Sequence, residues 1–506
     1  MNTEKISTLE MSIADVNSEY LGVNRIILME NAGKSLGELV WEVYSINKLS
    51  NIMIFAGKGG NGGDGMVAAR HLSRNFPIHL CLIGSHKELT KRSTLQNWKI
   101  LLNMSESVKL TELKQIEDIR NLEVNSKTLI VDCILGTGIK GRLREPLATL
   151  IKTIKRWQKQ GAIVISADTP TGINPNTGDT SNVFLTPQYT GIFHKQKQGL
   201  TEKNAGQIRV LPIGIPPEAE KIIGPGDLLA LKSRDFWSKK GDNGRILVIG
   251  GNETYSGAPA LTGMGAVQAG VDLVSILSPQ KVSTVIRSYS PEFIVYDYPS
   301  PHLTVESLSR ELIEQNDVIA LGPGLGQHPD TKKAVSEVLT LVKQFKKSIV
   351  IDADALKLLN MTKITPKTIL TPHAGEFATL TDISIPASFN EFNKRCELIQ
   401  EVSKQFPNVW VIKGHWDIVT DQSDRLKINK TGTPHMTRGG TGDILAGLIA
   451  GFLTQTEIPF YAACIGTYIN GKAGELVKSN FNLSNLLRHI PTVIQEGFDF
   501  IQKDSI

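Results

Sequence analysis

A chain of 506 residues is too long for one hydrophobic core and suits two or three domains. Its hydrophobic share of 41% and charged share of 21% are those of a globular protein, not of a disordered or fibrous one. A net charge of +5, with the basic residues scattered, leaves no nucleic-acid footprint.

The stretch MNTEKISTLEMSIADVNSEY has no apolar core of the signal-peptide kind. The longest apolar run, ILAGLIAGFL, is too short to span a bilayer, so no membrane contact and a cytoplasmic location are expected. NRIILMENAGKSLGELVWEVY (24–44) sets Leu28, Ala32, Leu36, Leu39 and Val43 at three- and four-residue steps, the pattern of an amphipathic helix. NIMIFAG (51–57), IHLCLIG (78–84), TLIVDCILG (128–136) and AIVISAD (162–168) are continuous apolar runs, as parallel strands buried on both faces require. A stretch punctuated by Pro212, Pro216, Pro217 and Pro225 reads as a linker, which predicts domains over 1–222 and 223–506. Strand-like runs then resume at 244–251, 271–277, 317–326, 348–356, 368–376 and 408–421, with helical patterns between them. Both halves are therefore expected to be α/β with mostly parallel sheets.

Cys81, Cys133, Cys396 and Cys464 stand far apart in apolar surroundings and read as buried, reduced thiols. The ten histidines take no ligand spacing along the chain, so no zinc site is expected.

The first half carries its chemistry at strand ends. AGKGGNGGDGMVAARHL holds six glycines between Gly57 and Gly65, more than a turn needs, and points to close approach of a ligand to backbone N–H groups. VDCILGTGIKGR and SADTPTGINPNTGD end two further strands with Asp132, Asp168 and Thr171. Carboxyl ends of parallel strands share one edge, so Asn61, Asp132, Asp168 and Thr171 are expected to converge, as hard oxygen donors suited to a cation near phosphate. Taken singly, each aspartate is also an ordinary turn former.

LMENAG, GKGGNGGDG, VDCILGTG and DTPTG, in this order over about 10–215, resemble the NAD(P)H-hydrate epimerase family. The resemblance implies a Rossmann-like sheet with flanking helices, epimerisation of a hydrated nicotinamide ring and a bound potassium ion. Asn61, Asp132 and Thr171 match its potassium positions. Gly60, Asn61, Gly62, Gly63, Asp64, Gly136, Thr137, Gly138, Ile139, Lys140, Gly141, Arg142 and Asp168 match its substrate positions, with Asp168 the acid–base residue. Two departures stand out: Thr171 where serine is usual, and GIFHKQKQGL, a poor copy of the family's Phe-Gly and Pro-Lys pattern.

In the second half TRGGTGDILAGLIAGFL runs a glycine-rich turn into an apolar helix with Asp443 at the seam. That aspartate either caps the helix or works beside an anion held by the free N–H groups, and the helix start is expected to favour its charge. GPGLG (322–326), DADAL (352–356), TPHAGE (371–376) and KGHWDIV (413–419) end successive strands. Singly they are weak, since His373 reads equally as a core histidine and Lys413 as a solvated cation.

With KGDNGRILVIGG and GAPALTGMGAVQAG these motifs are similar to the ADP-dependent NAD(P)H-hydrate dehydratases, ribokinase-like α/β/α sandwiches, over about 225–500. The resemblance implies phosphorylation of the hydrate hydroxyl by ADP, with Mg²⁺, and expulsion of phosphate to give NAD(P)H. Asp443 matches the base; Ala258, Gly324 and His373 match hydrate-contacting positions; Lys413, Gly414, His415, Trp416, Asp417 and Gly442 match nucleotide positions. Asp272 departs from the small residue the family mostly has there. The whole chain thus resembles a bifunctional NAD(P)H-hydrate repair enzyme, with the hydrate and ADP as small-molecule partners and a homo-oligomeric state. The second reading is a ribokinase-like vitamin-precursor kinase with a non-catalytic N-terminal nucleotide-binding module.

Overall fold

The apolar run that follows the first long helix becomes β1 (Asn51–Ala56), an interior strand of a seven-stranded sheet. In the computed structural model, which describes residues 5–136, 141–478 and 480–505, the chain forms two units: Met1–Ala219 with Ile501–Ile506, and Glu220–Phe500. The first sheet contains β1, β2 (Ile78–Ile83), β3 (Val108–Leu113), β4 (Thr128–Cys133), β5 (Ile163–Ala167), β6 (Tyr189–Phe193) and β7 (Gln207–Leu211). Its order is β3-β2-β1-β4-β5-β6-β7 and every pairing is parallel. The order reverses between β1 and β4, which opens a crevice at their carboxyl ends.

The helix Arg25–Ile46 buries Leu28, Ala32, Leu36, Leu39 and Val43, the stripe its sequence spacing predicts. It lies close against the helix Gly60–Leu72, so that a Cβ on Gly33 would fall 2.3 Å from Val67 Cβ. Residues 501–505 complete this unit. Arg25 donates to the Ile501 carbonyl at 2.8 Å, and Ser93 donates through N and Oγ to the Asp504 carboxylate at 3.0 and 2.9 Å.

The second sheet has nine strands: β8 (Arg245–Ile249), β9 (Leu273–Pro279), β10 (Phe293–Tyr298), β11 (Val318–Leu321), β12 (Ser348–Ile351), β13 (Thr368–Leu370), β14 (Val409–Ile412), β15 (Asp417–Thr420) and β16 (Leu426–Asn429). The order is β10-β9-β8-β11-β12-β13-β14-β15-β16, parallel until β15 and β16, which run antiparallel. The sequence run 408–421 is thus two strands of a hairpin rather than one. The switch point lies between β8 and β11.

The helix Thr441–Leu453 is buried from Ile444 to Leu453, as an all-apolar helix must be. Small residues let it sit tightly on the helix Gly257–Gln268. A Cβ on Gly447 would meet the Thr262 carbonyl oxygen at 2.0 Å, and one on Gly265 the Ile444 carbonyl oxygen at 2.4 Å. Three of the four thiols are buried as expected, but Cys396 is only half-buried, on the amphipathic helix Phe392–Ser403. Among the described residues no helix is long and apolar enough to cross a membrane.

Candidate active sites

The β1/β4 crevice gathers the oxygen donors. Asp132 ends β4 and is fully buried. Its Oδ1 accepts from Thr171 Oγ1 at 2.7 Å, and its Oδ2 from Ser166 Oγ at 2.8 Å and the Thr171 N–H at 2.9 Å. Burial pushes the Asp132 carboxyl up, and these bonds hold it partway back. Asn61 joins through Leu135, donating from Nδ2 to its carbonyl at 3.2 Å while the Leu135 N–H donates to Thr171 Oγ1 at 3.3 Å. Asn61 Oδ1 is buried and accepts no hydrogen bond, so a hard oxygen is left for a cation. Asn61, Asp132 and Thr171 are therefore neighbours.

The glycines of GKGGNGGDG divide into two groups. Gly62, Gly63 and Gly65 are required by packing: their Cβ atoms would fall 1.9 Å from the Gly57 carbonyl oxygen, 2.5 Å from Met29 Cε and 2.7 Å from Cys133 Cβ. Gly60 faces open space. Their number thus reflects helix–strand packing as much as ligand approach. Gly136 lies beside Asn61. Gly141 and Arg142 line a cavity of about 700 Å³ with Arg144, Glu145 and Lys152, whose lining does not include Asp168. Thr137, Gly138, Ile139 and Lys140 lie outside the described residues.

Asp168 follows β5 with φ of 60°, a conformation that non-glycine residues rarely adopt. Its Oδ1 accepts from the Phe193 N–H at 3.2 Å and from Lys197 Nζ. The Lys197 side chain is fully buried and also donates to the Phe193 carbonyl at 2.9 Å. Two further acids surround the pair. Burial raises Asp15 to about 7, against the pull of Lys197 and with a push from Asp168. Burial, Asp168 and Asp15 together lift Asp64 well above the usual carboxylate range. Three carboxyls and one buried ammonium thus lie within electrostatic reach of one another, a grouping suited to acid–base chemistry. Asp15 and Lys197 are new members of this site. The departure at GIFHKQKQGL is conformational: His194 takes φ of 65°, where a glycine is at ease, and the loop still delivers Lys197.

In the second unit the helix Thr441–Leu453 has Gly440 as its N-cap, at φ of 98° with no side-chain cap bond. Asp443 is therefore not the cap. Nor does the helix start keep it charged: burial, then the negative charges of Asp352 and Asp354, raise it to about 7 against the pull of Lys413. Lys413 Nζ donates to Asp352 Oδ1 at 2.7 Å. Burial disfavours the Lys413 charge, but Asp352, Glu376 and Asp443 outweigh burial and raise its pKa. A Cβ on Gly442 would stand 3.7 Å from Lys413 Nζ, so Gly442, Lys413, Asp352 and Asp443 form one cluster.

The GPGLG loop sits at the switch point. Gly324, at φ of 67°, would carry its Cβ 3.4 Å from Ala258 Cβ, and the Gly326 N–H donates to Asp354 Oδ2 at 3.0 Å. His373 is not a core histidine. It caps the helix Ala374–Thr381, its Nδ1 accepting from Gly375 and Glu376 N–H groups at 3.0 and 3.2 Å, and it pairs with Lys413 in an isolated parallel bridge.

Asp417 closes the turn after β14, its Oδ1 accepting from the Gly414 N–H at 3.1 Å and its Oδ2 from Asn429 Nδ2 at 3.1 Å. Burial raises its carboxyl despite those bonds. Trp416 meets Phe389 and Phe392 edge-on, with ring centroids 4.9 and 5.1 Å away, and His415 stacks beside it at 6.2 Å. Arg395, absent from the sequence expectations, lies beside Gly414 with buried Nε and Nη2 lacking hydrogen-bond partners. Asp272 is anchored locally, accepting from the Gly241 and Asn243 N–H groups at 2.8 and 3.1 Å.

Two parallel-sheet units, each with ionisable groups gathered at its switch point, define a two-site α/β enzyme. A family model described as NAD(P)H-hydrate dehydratase matches residues 246–496, and one described as YjeF-related protein N-terminus matches 25–199. The bifunctional NAD(P)H-hydrate repair enzyme Nnr of Methanothermobacter thermautotrophicus is 38% identical, over 97% of this chain and 95% of its own. The enzyme of the same name from Pyrobaculum aerophilum is 39% identical, over 97% and 98%. The Bacillus subtilis ADP/ATP-dependent NAD(P)H-hydrate dehydratase, co-crystallised with ATP and Mg²⁺, is 28% identical over 55% of this chain and 98% of its own, with a TM-score of 0.46. The chain belongs to the family of bifunctional NAD(P)H-hydrate repair enzymes.

Proposed function

We propose that the first unit interconverts the R and S forms of NAD(P)H hydrate, and that the second dehydrates the S form to NAD(P)H while ADP becomes AMP and phosphate. The observation that carries the second half is Asp443, raised to about 7 beside Lys413 at a helix start that has no side-chain cap bond. A carboxylate with that pKa is a stronger base than an ordinary aspartate and remains largely ionised just above neutrality. Asp443 takes the proton from the hydrate hydroxyl as its oxygen attacks the β-phosphorus of ADP, and backbone N–H groups at the start of the helix Thr441–Leu453 hold the transferring phosphoryl group. AMP departs. The ring nitrogen lone pair then expels phosphate from carbon, and loss of a proton from the neighbouring carbon restores the ring double bond.

Ala258 and Gly324 form the wall against the nicotinamide ring, with His373 at its edge. Lys413, Arg395 and the turn Gly414–Asp417 take the AMP portion. The carboxylates of Asp352 and Asp354 are hard donors suited to Mg²⁺, which when bound with ADP would offset phosphate charge.

In the first unit Asp168 moves the proton at the reacting centre, and Lys197 balances its charge. Asn61, Asp132 and Thr171 hold potassium, supported by the unsatisfied Asn61 Oδ1; the ion when bound supplies positive charge near the substrate phosphates. A plain kinase is not favoured, since the relatives span both units under a two-activity name.

The test is purified protein with mixed epimers of NADH hydrate, Mg²⁺ and K⁺, followed by NADH absorbance with ADP, with ATP and with neither. Complete conversion of both epimers with ADP is expected. Conversion that stops when the S form is spent removes the epimerase assignment, and no NADH at all overturns the whole reading.

A further inference from the structure

We infer that His302, His328 and Asp330 form a site for a transition-metal dication of the zinc class, separate from the Mg²⁺ and K⁺ positions proposed above. One ligand atom from each lies within 4.8 Å of the other two. The imidazole rings face each other with centroids 3.6 Å apart and planes 26° apart. Asp330 Oδ2 is 3.9 Å from His302 Nε2 and 3.7 Å from His328 Nδ1. Tetrahedral zinc with nitrogen and oxygen ligands near 2 Å sets ligand atoms roughly 3.3 Å apart. Closing that difference takes a tilt of the stacked rings that turns their in-plane lone pairs toward one point beside Asp330.

The backbones that carry the ligands are already pinned. Thr331 is fully buried and donates from Oγ1 to the carbonyl of buried Leu303 at 3.2 Å, joining the His302 loop to the helix Pro329–Gln344. Pro329 fixes φ between His328 and Asp330. A metal therefore meets little ordering cost beyond three side chains. Two imidazoles and one carboxylate select zinc, cobalt or nickel; magnesium and potassium prefer all-oxygen sets.

The competing contacts are weak. Lys333 pairs with Asp330 at 2.9 Å, but its side chain is 72% exposed and free to swing into water. The Asp330 N–H reaches His328 Nδ1 at 3.2 Å, a bond that coordination would replace. Chain spacing could not reveal this site, because the histidines stand far apart in sequence and meet only through the loop after β10. His328 follows Gly326 closely, so the metal would grip the GPGLG loop at its exit.

The experiment uses the tag-free full chain stripped by a chelator. Zinc uptake is measured by equilibrium dialysis at neutral pH, and cobalt(II) binding by its visible absorption. One zinc per chain at low-micromolar free ion is expected. His302→Asn and His328→Asn are each expected to weaken binding about tenfold or more, with folds checked by circular dichroism, while His489→Asn binds as the parent does. Absence of uptake by the parent, or uptake by both variants equal to that of the parent, overturns the inference.

Discussion

Lys413 Nζ lies 2.7 Å from Asp352 Oδ1, so the cation that pulls on Asp443 at the head of the helix Thr441–Leu453 is held by a neighbour rather than by Asp443 itself. The base is thus left with a carboxyl raised to about 7. It works only when deprotonated, so dehydratase kcat/KM is expected to rise with pH and level off above about 7. Asp352→Asn removes a negative neighbour and releases Lys413, and both changes lower the Asp443 pKa. The rising limb should move to lower pH. Asp443→Asn is expected to cost roughly 100- to 10,000-fold in rate. A pH–rate profile that stays in place in Asp352→Asn contradicts the assignment.

Lys197 is the buried partner of Asp168, and its loss strands a carboxylate. Lys197→Met is expected to abolish epimerisation and to destabilise the first unit by about 3–5 kcal/mol. Dehydration of the S epimer should continue at the parental rate at temperatures where the fold persists. Chiral separation of the remaining hydrate, alongside thermal melting, reads both effects.

Asp15 gives a stability prediction with a defined sign. Its folded-state carboxyl is raised from 3.8 to about 7, so between those values the folded chain binds more protons than the unfolded one. Stability contributed by this group therefore falls as pH rises through that window. Asp15→Asn removes the penalty, at most on the order of 4 kcal/mol, and should raise the melting temperature at pH 8 but not at pH 4. A melting temperature equal to that of the parent at pH 8 speaks against a buried, raised Asp15.

Asn61→Ala deletes the unsatisfied buried oxygen. The K⁺ concentration for half-maximal epimerase activity is expected to rise about tenfold. An unchanged K⁺ titration, run against Na⁺ as control, removes Asn61 from the cation site.

Gly265→Ala tests how Asp443 is placed. The added methyl would stand 2.4 Å from the Ile444 carbonyl oxygen, one residue beyond Asp443, so the two helices must part. A loss of about 1–3 kcal/mol is expected, together with a fall in dehydratase kcat and unchanged epimerisation.

Most central strands were legible because both faces are buried and the apolar runs unbroken, as in β1, β4 and β12; β6 is the interior exception, since YTGIF is too short and too mixed to stand out. Edge strands were not. β3 reads VKLTEL, β7 reads QIRVL and β10 reads FIVYDY, with exposed polar or aromatic residues that carry no continuous apolar signal. At the sites, motifs pointed to Asp132, Asp168, Lys413 and Asp443, which lie beside strand ends. Asp15 and Arg395 escaped notice because each looks like a solvated helix residue until tertiary packing encloses it. Lys197 was hidden in a stretch read only for its departures. Of the two sequence readings of His373, a core histidine is ruled out, because it caps the helix Ala374–Thr381 at the surface.

Asp504 supplies both oxygens to Ser93, more than four hundred residues upstream, within the first unit. A gene fragment ending at the border near Ala219 therefore encodes an unfinished object, with the N–H and hydroxyl of Ser93 uncapped and Arg25 deprived of one acceptor. On the ribosome the unit translated first waits for its closing residues until the other has been made. Splitting this chain into two separately expressed halves calls for a permuted design that returns 501–506 to the first half.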